Sequence, residues 1–146
     1  MKVGDYVRTK KGIAKYLGLG RDILKHETSK DTYEHYYSQH LFDNYIFNVG
    51  HDYGDSLTYD EFNNIDKLGK VKESIIDLIE LGDVLVVKDF VYEACMIFTD
   101  IYVIQNEQHL INIKSDLEKN KNKKLYSIVT KEQFESMEYK VKYENQ

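Results

Sequence analysis

The stretch "VGDYVRTKKGIAKY", residues 3–16, sets the architecture that the rest of the sequence has to fit. Asp5 to Thr9 reads as a strand, Lys10 to Gly12 as a turn in which glycine accepts positive φ, and Ile13 to Leu17 as the returning strand. Asp5, beside Gly4, carries the short acceptor side chain that habitually hydrogen-bonds nearby backbone. Further on, "LGDVLVV" at 81–87 sets a second Gly-Asp before an apolar run. The echo points to a β-rich build, or to two lobes each opened by Gly-Asp, and is too short to establish a duplication.

Outward from that hairpin, "GLGRD" (18–22) offers a break and "ILKHE" from Ile23 a third strand, giving a short antiparallel meander. "DNYIFNV" (43–49) reads as a strand followed by the glycine-punctuated loop "GHDYGDS". Thr58 with Glu61 has the spacing of a capping box and predicts a short helix through Ile65. Ser74 is a helix cap for the turn or two before Gly82. The apolar runs "VLVV", "ACMIF", "IYVI" and "LINI" read as four strands, and Lys114 to Lys124 as a lysine-rich loop. "LYSIV" is a further strand, Thr130 with Gln133 repeats the capping spacing, and "EYKVKY" reads as a last strand. The expected fold class is therefore α+β and β-dominated, a small antiparallel SH3-like or partly open barrel with short helices.

With 146 residues, 42% hydrophobic and 31% charged, the chain is expected to form a single domain, 1–146. No apolar run is long enough to span a bilayer, and "MKVGDY" at the start has no secretory pattern. One cysteine, Cys95, allows no internal disulfide, and its apolar neighbours suggest a buried, inert thiol; a reducing cytoplasm fits. Thirteen tyrosines stand against no tryptophan and no proline, a bias that suits strands and binding surfaces.

The chemistry-bearing motifs are sparse. "LGLGRD" is only the first half of a dinucleotide fingerprint. His51, Asp52 and Asp55 are hard metal ligands by type, and His35 and His40 are close in sequence, but no metal-site spacing joins them. These histidines, with His109, read as surface residues. No serine sits in a nucleophile elbow, so neither enzyme chemistry nor a cofactor is expected. Arg8, Lys10, Lys11 and Lys15 make the first hairpin basic, a pattern read as lysines guarding a strand edge. The net charge of −5 argues against direct nucleic-acid binding.

The segment 27–66 is different in kind. Nine acids face one base there, giving about −8, while the remainder of the chain is net positive by three. Nine aromatics share the segment, which a disordered acidic tract would lack. It is expected to be a folded, acidic, tyrosine-rich insertion whose carboxylates imitate phosphate spacing for a basic groove on another protein. The candidate contact residues are Asp31, Glu34, Asp52, Tyr53, Asp55, Tyr59, Asp60 and Glu61.

The segments "VGDYVRTKKGIAKY", "SIIDLIELGDVL" (74–85) and "SIVTKEQFESMEYKV" (127–141) resemble small phage and prophage accessory proteins of low-GC Gram-positive bacteria. That resemblance implies a cytoplasmic protein of a mobile element, non-enzymatic, that binds and inhibits a host machine. A defence effector that processes nucleic acid is the leading partner, which would make the chain anti-CRISPR-like. Two other expectations stand beside it. One is a sponge for a small molecule or cyclic nucleotide, with Arg8, Arg21 and tyrosines at the pocket. The other is a nucleic-acid-binding barrel.

Overall fold

In a computed structural model of the chain, residues 1–23, 37–44, 46, 56–65 and 69–142 are described. They fall into two compact units, Met1–Ile79 and Glu80–Gln146. The fold class is α+β and strand-rich, with one antiparallel sheet in each unit. Among the described residues neither sheet closes into a barrel.

The first unit opens with the quoted hairpin. Strands β1 (Tyr6–Thr9) and β2 (Gly12–Leu19) pair from Tyr6↔Lys15 to Thr9↔Gly12. A short helix, α1 (Gly20–Ile23), follows; of the third strand expected from Ile23, residues 24–27 lie outside the described residues. Strand β3 is His40–Phe42, just before the predicted run at 43–49, of which residues 45 and 47–49 lie outside the described residues. Beyond it come β4 (Ser56–Leu57), α2 (Tyr59–Asn63) and β5 (Lys70–Lys72). The sheet order is β4-β3-β2-β1-β5. Both hairpin strands are therefore interior, and the lysines read as guarding an edge do not border one. Arg8 in particular is buried and donates from Nη1 to the Leu78 carbonyl at 2.8 Å. The core joins Val7, Ala14 and Tyr16 to Phe42, Ile46, Leu57 and Ile65, with Phe62 packed against it, so two aromatics of the acidic segment belong to the main core, whereas Tyr37 is exposed. A 3₁₀ turn, Ile75–Leu78, closes the unit, capped by Ser74 Oγ accepting from the Ile76 N–H.

The second unit repeats the plan with longer strands. β6 (Val84–Val91) and β7 (Met96–Val103) form a hairpin, α3 spans Glu107–Lys119, β8 is Lys123–Val129 and α4 is Lys131–Met137. Its sheet order is β7-β6-β8, with a register irregularity against β8 at Val86/Val87. Two of the expected strands, "ACMIF" and "IYVI", merge into β7, and "LINI" is not a strand. It lies in α3 together with most of the presumed lysine loop. Asn106 caps that helix by accepting from the His109 N–H at 2.8 Å, and Ile113 is its buried residue. Cys95 is exposed, not buried: it sits in the hairpin turn at φ +48, its thiol 3.4 Å from the Tyr92 carbonyl. Residues 138–142 carry no regular structure in place of the expected last strand.

The two Gly-Asp pairs are the same device. Gly4 and Gly82 have φ of +94° and +87°, and each opens a bulge in which two residues oppose one. Gly4 N–H donates to the Tyr16 carbonyl while Tyr16 N–H donates to the Asp5 carbonyl; Gly82, Ile104 and Asp83 repeat the pair of bonds. Each aspartate also reaches back, Asp5 Oδ2 accepting from Lys2 N–H at 2.7 Å and Asp83 Oδ2 from Glu80 N–H at 2.8 Å. In both units the strand that follows is interior, flanked by its hairpin partner and by a late strand that leads into a capped helical turn. Asp83, fully buried, also accepts from Lys131 N–H at the start of α4 at 3.0 Å.

Candidate functional site

Helix α2 holds two of the described carboxylates of the acidic segment, Asp60 and Glu61. Thr58 caps it: its Oγ1 accepts from the Glu61 N–H at 3.4 Å, while its own N–H and Oγ1 donate to Glu61 Oε1 at 3.2 and 2.9 Å. The capping box expected from the sequence is therefore present, and it occupies one oxygen of Glu61. Asp60 and Glu61 both remain exposed in the first turn, where the helix dipole favours negative charge.

Phe62, the next residue, anchors the helix. Its ring stacks on His40 with centroids 3.7 Å apart and planes 9° from parallel. Tyr16 lies beside both rings, and its hydroxyl shares a 2.6 Å hydrogen bond with His40 Nδ1. His40 is thus a buried core residue, in contrast to the surface position expected for it, because β3 turns it under α2. Burial, then the charges of Arg21 and the N-terminus, push its pKa below the usual histidine value. Burial pushes the Tyr16 phenol up, with Asp22 adding to the effect.

Of the expected contact residues, Asp60 and Glu61 are placed together on α2, and Tyr59 is its first helical residue. Asp31, Glu34, Asp52, Tyr53 and Asp55 lie outside the described residues, as do His35 and His51. The arginines invoked for a ligand pocket do not converge: Arg8 is buried against the Leu78 carbonyl, and Arg21 lies over the Tyr37 ring at 5.4 Å. Among the described residues no three His, Cys, Asp or Glu side chains gather to hold a metal.

Two features of the second unit escaped sequence reasoning. One is an open groove of about 820 Å³ beside α3, lined by Tyr102, His109, Asn112, Lys119 and Lys121 among others. Next to it Lys123 is tied to Asp116 at 2.6 Å, a bond that raises the lysine pKa. The other is β7, whose Met96, Ile97, Phe98, Ile101 and Val103 are all exposed. The groove depends on α3, which the strand-like run "LINI" concealed. The exposure of β7 depends on strand order, which no local pattern carries.

Among the described residues no helix is long and apolar enough to cross a membrane. No protein-family model, no curated protein and no solved structure matches the chain.

Proposed function

We propose that this chain is a phage-type accessory protein of the bacterial cytoplasm that works by binding. It occupies a host protein, with a nucleic-acid-processing defence effector as the leading partner, and so inhibits it without catalysis. The observation that carries this reading is the 3.7 Å stack of Phe62 on His40. It pins α2 to the core, so Asp60 and Glu61 are held on a rigid element. Preorganised charge binds with less ordering cost than charge on a mobile loop.

The experiment is affinity capture from host lysate with the wild type and with an Asp60→Asn/Glu61→Gln double variant. Glutamine also serves at the third position of a capping box, so the variant removes charge and keeps the cap. A loss of at least ~10-fold in capture, equivalent to about 1.4 kcal/mol, is expected. Undiminished capture of the same partner would move the contact surface off α2.

A second reading has one observation in its favour, the groove beside α3. Its volume is that of a small-ligand site, and Tyr102, His109, Lys119 and Lys121 offer stacking and hydrogen-bond donors to a nucleotide. A thermal-shift screen with cyclic nucleotides separates the two readings. A ligand present at about 100 times its Kd stabilises by about 2.7 kcal/mol, and no shift with any nucleotide removes the sponge.

A further inference from the structure

Sheet edges expose unpaired N–H and C=O groups, and folded proteins blunt them with shortness, lysine, proline, bulges or a cover. Four edges are present among the described residues, and three are blunted. Strand β4 has two residues; β5 has three, of which Lys70 and Lys72 are lysine; β8 carries Lys123, Lys124 and a register irregularity. Among the described residues strand β7 has none of these protections. It runs for eight residues, pairs with β6 without a break, contains Asp100 as its one charge, and the chain has no proline.

The edge is also apolar on both faces. Ile97, Ile101 and Val103 on one face are 64%, 69% and 49% exposed, and Met96 and Phe98 on the other are 54% and 44% exposed. Ile104 directs its N–H and its C=O toward Asp83 and Gly82. By the alternation of an antiparallel ladder, Tyr102, Asp100 and Phe98 bond inward to β6. Ile97, Thr99, Ile101 and Val103 therefore turn their backbone groups to the free side.

We infer that β7 is a pairing edge for a second copy of this chain, joining two three-stranded sheets into one of six strands about a twofold axis at Thr99. In that register Thr99 faces Thr99 of the second copy in a hydrogen-bonded pair, and Ile97 faces Ile101 of the second copy on both sides of the axis. Met96 faces Tyr102 of the second copy, and Phe98 faces Asp100, so no two acids lie directly opposite. Aliphatic and threonine pairs of this kind are the favourable cross-strand combinations. Edge pairing covers the outward backbone groups and the flanks of these side chains and leaves both sheet faces open, so the interface belongs to the small class, of micromolar strength. An identical edge meets its own requirements by symmetry, as an isologous dimer does. The inference goes beyond the partner binding proposed above and stands independently of it, since α2 takes no part.

The test is sedimentation equilibrium of the full chain at about 1 to 100 μM, where micromolar association is visible. A dimer is expected. Ile101→Lys places a charge on the edge, and Thr99→Pro removes an outward N–H without touching a bond to β6. Each is expected to raise the dimer Kd at least ~10-fold, about 1.4 kcal/mol, while Ser127→Lys on β8 leaves it unchanged. Circular dichroism checks that each variant is folded. If Thr99→Pro does not fold, the amides of Ile97, Thr99 and Ile101 supply the second readout, because pairing protects them from exchange in a concentration-dependent way. A chain monomeric throughout the range, its β7 then left to another protein, overturns the inference. So does a dimer that Ile101→Lys leaves intact.

Discussion

Gly4 and Gly82 hold one backbone conformation in two surroundings, which lets strain be separated from crowding. A Cβ on Gly4 would meet nothing within 4 Å, whereas a Cβ on Gly82 would lie 3.1 Å from the Cβ of Lys131. Gly4→Ala is expected to cost about 1–2 kcal/mol, the penalty of a left-handed L-residue alone. Gly82→Ala is expected to cost more, because the start of α4 must also shift. Chemical denaturation of both variants checks the order, and equal costs would mean that α4 gives way freely. At this scale the sequence was informative. Asp5 was expected to bond backbone near its strand and does, and the echo at Asp83 proves to be the same turn and bulge. What it did not disclose was burial: Asp83 and Arg8 are charged residues by type, and only the fold puts them inside.

Among the elements, α2 depends most on one tertiary contact. Five residues are too few to hold a helix alone, so the Phe62–His40 stack and the capping box fix it. His40 is neutral there, with a pKa held below its ordinary 6.5 chiefly by burial. The unfolded chain therefore binds the proton more readily than the folded one, and stability rises with pH through this region. The contribution is complete above about pH 6.5 and is lost as pH falls toward the lowered folded value. Thermal unfolding followed from about pH 7.5 to pH 5 should show a falling Tm, and His40→Phe should flatten that fall. An unchanged slope in the variant would place the pH dependence elsewhere. The capping boxes at Thr58 and Thr130 and the cap at Ser74 were all legible because each is a local side-chain-to-backbone bond. Helix α3 was not, since three apolar residues in a run of four, Leu110, Ile111 and Ile113, fit a strand as well as a helix. Its better signals were the Asn106 cap and the spacing of Leu110, Ile113 and Leu117 along one face.

Over the whole molecule, each unit is built around the strand that follows its Gly-Asp turn. β1 lies between β2 and β5, and β6 between β7 and β8. Val7 and Leu85, the second residues of these strands, are both fully buried. Native-state hydrogen exchange should therefore find the slowest amides in β1 and β6, with the outward amides of β7 far faster in dilute monomer. Slow exchange confined to one unit would show that the shared plan does not confer shared rigidity. The strand-rich α+β class was legible because alternation and Gly-bearing turns are local. Strand order was not, and it decides which strand is left at an edge. The lysines of the hairpin 6–19 were read as guarding an edge and its strands are interior, whereas the apolar run around Cys95 was read as buried and leads into an exposed edge.

Cys95 stands exposed at the tip of the β6–β7 hairpin, directly before that edge, and it is the one thiol of the chain. The protein thus carries its own attachment point for a single spectroscopic label, with no cysteine to remove first. In the register centred on Thr99, the two labelled positions lie eight residues apart along the paired strands, about 27 Å at ~3.4 Å per residue. That separation suits pulsed electron-spin resonance and short-range energy transfer. One maleimide reaction converts the geometry of a turn into a molecular ruler.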